Sequence, residues 1–319
     1  MAFDLSALSA FVNETDNLMD IYRRSMYGND TAPWLNQIQG VKATNALPTV
    51  NHEQNVLQSA ASELTAASFN GDVVVEQVNL PTAKVAYWNK FNLADLEGYY
   101  TQKYLPRGAN YDIGETESVL ATLLADSIPN VISKQVENLT WRGDTSLGSG
   151  TGLQFVDGFN VLHEALSPTS TGTLTLSNTR GYVDGLINAA VADADWSAAL
   201  SNGGARIYMG HDAYRFYATS YRSDFGSLPY NNEFNKMVID GTNVSMIPCA
   251  GLTGTNYVYL AKNDILTIGT DLDSDQNNIM MGFDQFEEYV WVKCKFRLGF
   301  ASRDVNTKSV LVHRGAGNS

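Results

Sequence analysis

Apolar positions along the chain follow two rhythms. From Val119 to Leu139 they recur every three to four residues (Val119, Leu120, Leu123, Leu124, Ile128, Val131, Ile132, Val136, Leu139), which predicts a long helix striped on one face. Pro129 lies inside it and is expected to kink or split it, because the ring removes a backbone donor and clashes with the preceding turn. From 290 to 300 the rhythm is strict alternation. Val290, Val292, Cys294, Phe296, Leu298 and Phe300 alternate with Trp291, Lys293, Lys295, Arg297 and Gly299, which predicts a strand with one buried face and a cationic face, exposed or paired across an interface.

Weaker patterns fill the rest. Residues 1–50 read as a peripheral arm, with one amphipathic segment (Phe11, Val12, Leu18, Met19, Ile21, Tyr22, Met26) and a stretch broken by Gly, Pro and Asn. A helix is expected over 53–68, then two β-rich runs, VVVEQVN and KVAYWNKF, which read as a hairpin across Leu80-Pro81-Thr82, and a short helix from Asn92 to Tyr104. From 179 short elements alternate. A helix precedes the strand ARIYMG, Asp212 is the expected N-cap of a second helix, and Asp240-Gly241 turns the chain towards the strands YVYLA and ILTIGTD. The run SVLV at 309–312 is the expected partner of the alternating strand. The class these elements define is α+β.

Composition removes several functions. With 319 residues and a net charge of −13, the chain has no basic run of the length that grips phosphate along the sequence. Its opening residues lack the basic and apolar regions of a signal peptide, so none is expected there, and no stretch approaches the roughly 20 apolar residues of a membrane span. Cys249 and Cys294 have no zinc-site spacing, and His52, His163, His211 and His313 are scattered. No GxSxG or GxxxxGK[ST] occurs, and the Gly148–Gly152 run lacks the lysine and preceding strand of a phosphate loop. Asp271, Asp273 and Asp275 share the spacing of a calcium loop, but Gln276 and Gly282 stand where an EF-hand needs glycine and glutamate. They are retained as a weak calcium candidate beside the ordinary reading, a solvated acidic turn. Arg142-Gly143-Asp144 would be an adhesion signal only on an exported protein, and Glu287-Glu288 cannot be ranked as acid and base. No catalytic residue and no cofactor is assigned.

The order of parts carries a resemblance. The fragments "NLTWRGDTSLGSGTGLQFVDGFNVL" and "FEEYVWVKCKFRLGFASRDVNTKSVLV" resemble the passage after the spine helix and the final peripheral strands of tailed-bacteriophage major capsid proteins, a shell fold shared with encapsulins. The resemblance implies an N-arm at 1–50, a helix at 51–70 leading to the extended loop, and the extended β-hairpin loop with a short helix at 71–114. It further implies a peripheral subdomain with the spine helix at 115–178, an axial α+β subdomain at 179–270, and a return to peripheral strands at 271–319. Gly143, Asp144 and Gly158 become structural turns between spine and axial subdomain.

The implied partners are the chain itself in hexamers and pentamers, a separate scaffolding protein, a portal, decoration proteins, and packaged double-stranded DNA bound without sequence specificity. No membrane is involved. The implied place is the virion capsid, assembled in the bacterial host cytoplasm. For the lysine-to-asparagine crosslink of some members, Lys84 and Lys90 are the donors the sequence offers, with no acceptor or acid identified. The alternatives are an encapsulin-like compartment and an unrelated α+β enzyme or binding module.

Overall fold

The computed structural model of the chain describes residues 15–52, 73–92, 113–226, 237–239, 241–271, 279–284, 289–305 and 308–315. In chain order these form α1 (Thr15–Tyr27), β1 (Asn36–Ile38), β2 (Thr44–His52), β3 (Val73–Pro81), β4 (Ala83–Asn92), α2 (Ile113–Arg142) and α3 (Phe159–Leu162). There follow β5 (Ser170–Thr171), α4 (Thr179–Ala192), α5 (Ser197–Ser201), β6 (Ala205–Gly210), α6 (His211–Phe225), β7 (Ser245–Cys249) and β8 (Val258–Lys262). The last are β9 (Leu266–Thr270), β10 (Ile279–Asp284), β11 (Tyr289–Ser302) and β12 (Val310–Arg314). No helix among the described residues is long and apolar enough to cross a membrane.

Strand β11 organises a five-stranded sheet. One edge pairs with β4 along Tyr289 to Leu298. The other pairs first with β10 and then, from Leu298 to Ser302, with β9, which carries β1 parallel to itself. A second five-stranded sheet runs β5-β12-β8-β6-β7, and β2 and β3 form a separate two-stranded ribbon. The second sheet is buried on both faces. Tyr208 and Tyr259 face a core shared with α1, α2 and the inner face of β11, whereas Ile207, Met209 and Leu260 face α4 and α6. That double burial explains why Ile207, Tyr208 and Met209 are consecutive large apolar residues rather than an alternating pattern.

The predicted spine is present as α2, 30 residues or about 45 Å at 1.5 Å per residue. It is a single helix through Pro129, so the proline does not split it. Ile128, Ile132, Val136 and Leu139 are all buried in one core, and that stripe lies on both sides of the proline, so packing outweighs the missing backbone bond. Val131, read as part of the stripe, is exposed.

The structure departs from expectation in four places, three of them in strand pairing. The hairpin between VVVEQVN and KVAYWNKF does not form: β3 pairs with β2 and β4 with β11. A tight reversal needs left-handed residues, and no non-glycine residue at 80–82 has positive φ. The chain instead passes on through Thr82, whose N–H donates to Ala43 O at 2.8 Å, and crosses β11 at Gly299, where a Cβ would lie 3.0 Å from Thr82 Cγ2. Strand β12 pairs with β8, not β11. All five of its residues are buried, which suits an interior position in the second sheet. Strand β9, placed in the axial unit by sequence, belongs to the sheet of β11. Finally, α6 is capped by Gly210 rather than Asp212, whose Oδ2 accepts the Gly254 N–H at 3.0 Å. The helices expected at 53–68 and 92–104, and the first 14 residues of the arm, lie outside the described residues.

Candidate functional site

At the foot of the spine the chain turns through the predicted glycines. Gly143 N–H donates to Leu139 O at 3.1 Å and Gly158 N–H to Gly143 O at 2.8 Å, while Asp144 N–H meets Leu153 O at 2.9 Å. These bonds close the base of the 143–158 loop. The two glycines are packed against each other: a Cβ on Gly158 would lie 2.6 Å from Leu139 O and 2.8 Å from Gly143 N. Asp144 Oδ1 accepts from Ser146 Oγ at 2.6 Å and Ser146 N at 2.8 Å, which holds its carboxyl below the usual range. Asp157 Oδ1 accepts from Thr145 N and Oγ, both at 2.8 Å. Within the Arg-Gly-Asp tripeptide Gly143 is buried, Arg142 is exposed and the Asp144 carboxylate is bonded to Ser146. In the Gly148–Gly152 run, Gly152 has φ of 72° and gives its carbonyl to Gln135 Nε2 at 2.7 Å.

Immediately above this corner is a buried polar node that sequence reasoning missed. Glu137 is 2% exposed. Its Oε1 accepts from Thr31 Oγ at 2.6 Å and Gly251 N at 3.2 Å, and its Oε2 from Thr31 N at 3.2 Å. Trp141, one turn later and fully buried, donates Nε1–H to the same Thr31 hydroxyl at 2.9 Å. Its ring packs on Tyr259, Phe159 and Tyr208 at centroid distances of 5.2, 5.5 and 5.6 Å. Four separated segments therefore meet here: the residues after α1, the spine, α3, and the 250–252 turn beside the second sheet. Burial raises the Glu137 carboxyl above its ordinary value, the Thr31 hydroxyl and the Gly251 and Thr31 amides oppose this, and the charge of Asp30 adds to it. The signal available in sequence was its place four residues before Trp141, on the flank of an apolar stripe. Beside the node lies a cleft of about 430 Å³ lined by residues of 28–30 and 130–138 and by Ala250.

The other candidates are not brought together. Asp271 is buried and its Oδ2 is 3.2 Å from Arg297 Nη1, while Asp273 and Asp275 lie outside the described residues. Asp271→Ala is expected to cost about 2 kcal/mol, because it removes the carboxylate from a partly buried guanidinium that keeps Lys42 O as an acceptor, and thermal melting should show the same loss with or without a calcium chelator. A chelator-dependent loss would reinstate the calcium loop. His163 is buried and bonded to Ser302 Oγ at 3.0 Å, with its pKa lowered by burial to about 4. His313 sits between Ser170 and Gly172, and His211 pairs with Asp30 at 3.1 Å. Among the described residues no group of three His, Cys, Asp or Glu could hold a metal ion. Both cysteines are free and buried, and burial pushes the Cys294 thiol up to about 12.

The predicted cationic face of β11 is real and lies against β4. Arg297 takes Asp271, while Lys293 stands 5.2 Å from the ring of its cross-strand neighbour Trp88. The β2–β3 ribbon is anchored at one end by Leu47 and Leu80, which pack with Val41 and Ala301. Towards its far end Val75 is 68% exposed.

No protein-family model and no curated protein sequence matches the chain. Solved structures match its fold. A chain of the capsid of a native GTA particle has a TM-score of 0.52 at 13% identity, covering 90% of this chain and 90% of that one. A chain from Gordonia phage Cozz gives 0.52 at 14% identity, covering 91% and 87%. The satellite phage P4 procapsid that includes the size determination (Sid) protein gives 0.51 at 11% identity, covering 94% and 98%. The fold is therefore the α+β fold of phage major capsid proteins.

Proposed function

We propose that the chain is the major capsid protein of a tailed DNA phage, a structural and non-enzymatic subunit that assembles as hexamers and pentamers into the icosahedral shell of the virion. The observation that carries this reading is the β2–β3 ribbon within a capsid fold. A two-stranded ribbon has too little core to be stable alone, and among the described residues this one meets the body through Leu47 and Leu80 and through the Thr49 hydroxyl, which donates to Arg303 O at 3.1 Å. Val75 and the unpaired ribbon edges are satisfied when neighbouring subunits cover them.

The net charge of −13 fits a container whose wall repels phosphate, so that packaged double-stranded DNA is enclosed without sequence-specific binding. Assembly takes place in the bacterial cytoplasm on a separate scaffolding protein, with a portal and decoration proteins completing the particle. Electron microscopy of the purified protein tests the reading. Uniform icosahedral shells tens of nanometres across are expected when the scaffolding partner is co-expressed. A monomer or dimer at high concentration would end the proposal, and closed shells from the chain alone would remove the scaffolding requirement.

A further inference from the structure

The outer face of the sheet formed by β4, β11 and β10 concentrates positive charge around an exposed tryptophan. Register sets Trp88, Lys293 and Met280 in one row across the three strands. Lys84 and Lys90 lie on the same side of β4, and Lys295 lies beside Ala86. The opposite side sends Val85, Val292, Cys294 and Phe296 into the core. Trp88 is 74% exposed and Met280 53%. Among the described residues no carboxylate lies within ion-pair distance of Lys84, Lys90, Lys293 or Lys295. The partners of Lys293 and Lys90 are rings, Trp88 at 5.2 Å and Tyr289 at 5.0 Å.

Such a face is costly in an isolated subunit. Neighbouring lysines repel one another, and an exposed indole with a methionine beside it is apolar area left in water. An aromatic centre ringed by charge is the anatomy of a protein-binding hot spot. Resting on the shell reading above, the geometry points to this face as the docking surface for an acidic segment of a second copy of the chain, with Trp88 as the anchor. Copies that each carry −13 repel at a distance, so cohesion between them needs local patches of the opposite sign. The chain has 34 acidic residues against 21 basic ones, so a neighbouring copy readily presents an acidic surface. The backbone of duplex DNA would satisfy the lysines but leave the apolar row of Trp88 and Met280 unused, which favours polypeptide.

Two variants and one crosslink test this. In the double variant Lys293→Glu/Lys295→Glu and in Trp88→Ala, melting of the dissociated subunit should stay near wild type, because the side chains face solvent. The yield of assembled particles should fall about tenfold or more in each, as truncation of a central tryptophan or reversal of its charged rim does elsewhere. A photoreactive benzophenone residue placed at position 86, exposed on the same side of β4 beside Lys295 and leaving Trp88 in place, should crosslink, within assembled particles or capsomers, to an acidic stretch of a second copy. Crosslinks to DNA or to a different protein would overturn the assignment whatever the yields of the two variants. Wild-type yields from both variants would also overturn it, yet leave the shell reading standing. A wild-type chain that forms no capsomers or particles would instead sink the shell reading.

Discussion

Gly143→Ala is expected to abolish shell formation by preventing the spine corner from closing, and Gly158→Ala to do the same. The new Cβ at Gly143 would strike the Val156 carbonyl oxygen and stand 2.7 Å from Leu139 O and 3.1 Å from Gly158 N. At Gly158 it would stand 2.8 Å from Trp141 C. All of these are backbone atoms, fixed by the end of a long helix on one side and by the hydrogen bonds that close the loop on the other, so neither partner can swing away as a flexible side chain would. The cost should be about 3 kcal/mol or more, at the upper end of overpacking penalties. The chain should appear in the insoluble fraction, or melt well below wild type if recovered. Gly148→Ala is the control in the same loop: no atom lies within 4 Å of its Cβ position, so its stability should change by less than about 0.5 kcal/mol. Soluble, assembly-competent Gly143→Ala would show that the corner is more plastic than its packing implies.

Which parts of this architecture were readable in sequence follows from the range of the interactions that encode them. The spine from 115 to 139 and the alternating strand to Phe300 were legible because a helical stripe or an in-and-out alternation is written within a few consecutive residues. Pairing was not. Alternation in KVAYWNKF fixes which side chains face the core, yet the partner of β4 is a strand some two hundred residues later, and nothing local prefers it over β3. The same ambiguity sent SVLV to the wrong sheet. Gly143 and Gly158 were legible as turn residues, whereas the reason neither tolerates a side chain is their approach to one another and to the helix end. The cationic face of β11 was visible as Lys293, Lys295 and Arg297. Its meaning required β4 beside it, because only the pairing shows that Arg297 is answered by Asp271 while Lys293 lies against Trp88. Glu137 is the hardest case. A glutamate in SKQVENLTW reads as a solvated helix position until Thr31 and Gly251, distant on both sides, converge on it.

That convergence makes Glu137 the position with the other large expected effect. Glu137→Ala removes the acceptor from the Thr31 hydroxyl and from two buried N–H groups, and should destabilise the dissociated subunit by about 3–5 kcal/mol. Glu137→Gln keeps an oxygen for the Thr31 hydroxyl and the Gly251 N–H but turns its amide towards the Thr31 N–H, so about 1–2 kcal/mol is expected. The pair of variants also has a pH signature. Burial raises the folded-state pKa of Glu137 above the ordinary 4.5, so the folded chain holds this proton more tightly than the unfolded chain does. Its contribution is therefore most favourable below the ordinary value and is lost as pH rises through the folded value. Urea midpoints of dissociated wild-type and Glu137→Gln subunits should be measured in steps from about pH 4 to about pH 7. The difference, wild type minus variant, should fall as pH rises above the ordinary glutamate value and then level off, since glutamine has no proton to lose. Taking the difference cancels the remaining carboxylates, which titrate in both chains. A difference that is flat, or that rises with pH, would mean that Glu137 is ionised in its buried site without penalty, with the node held by charge rather than by a strained acceptor.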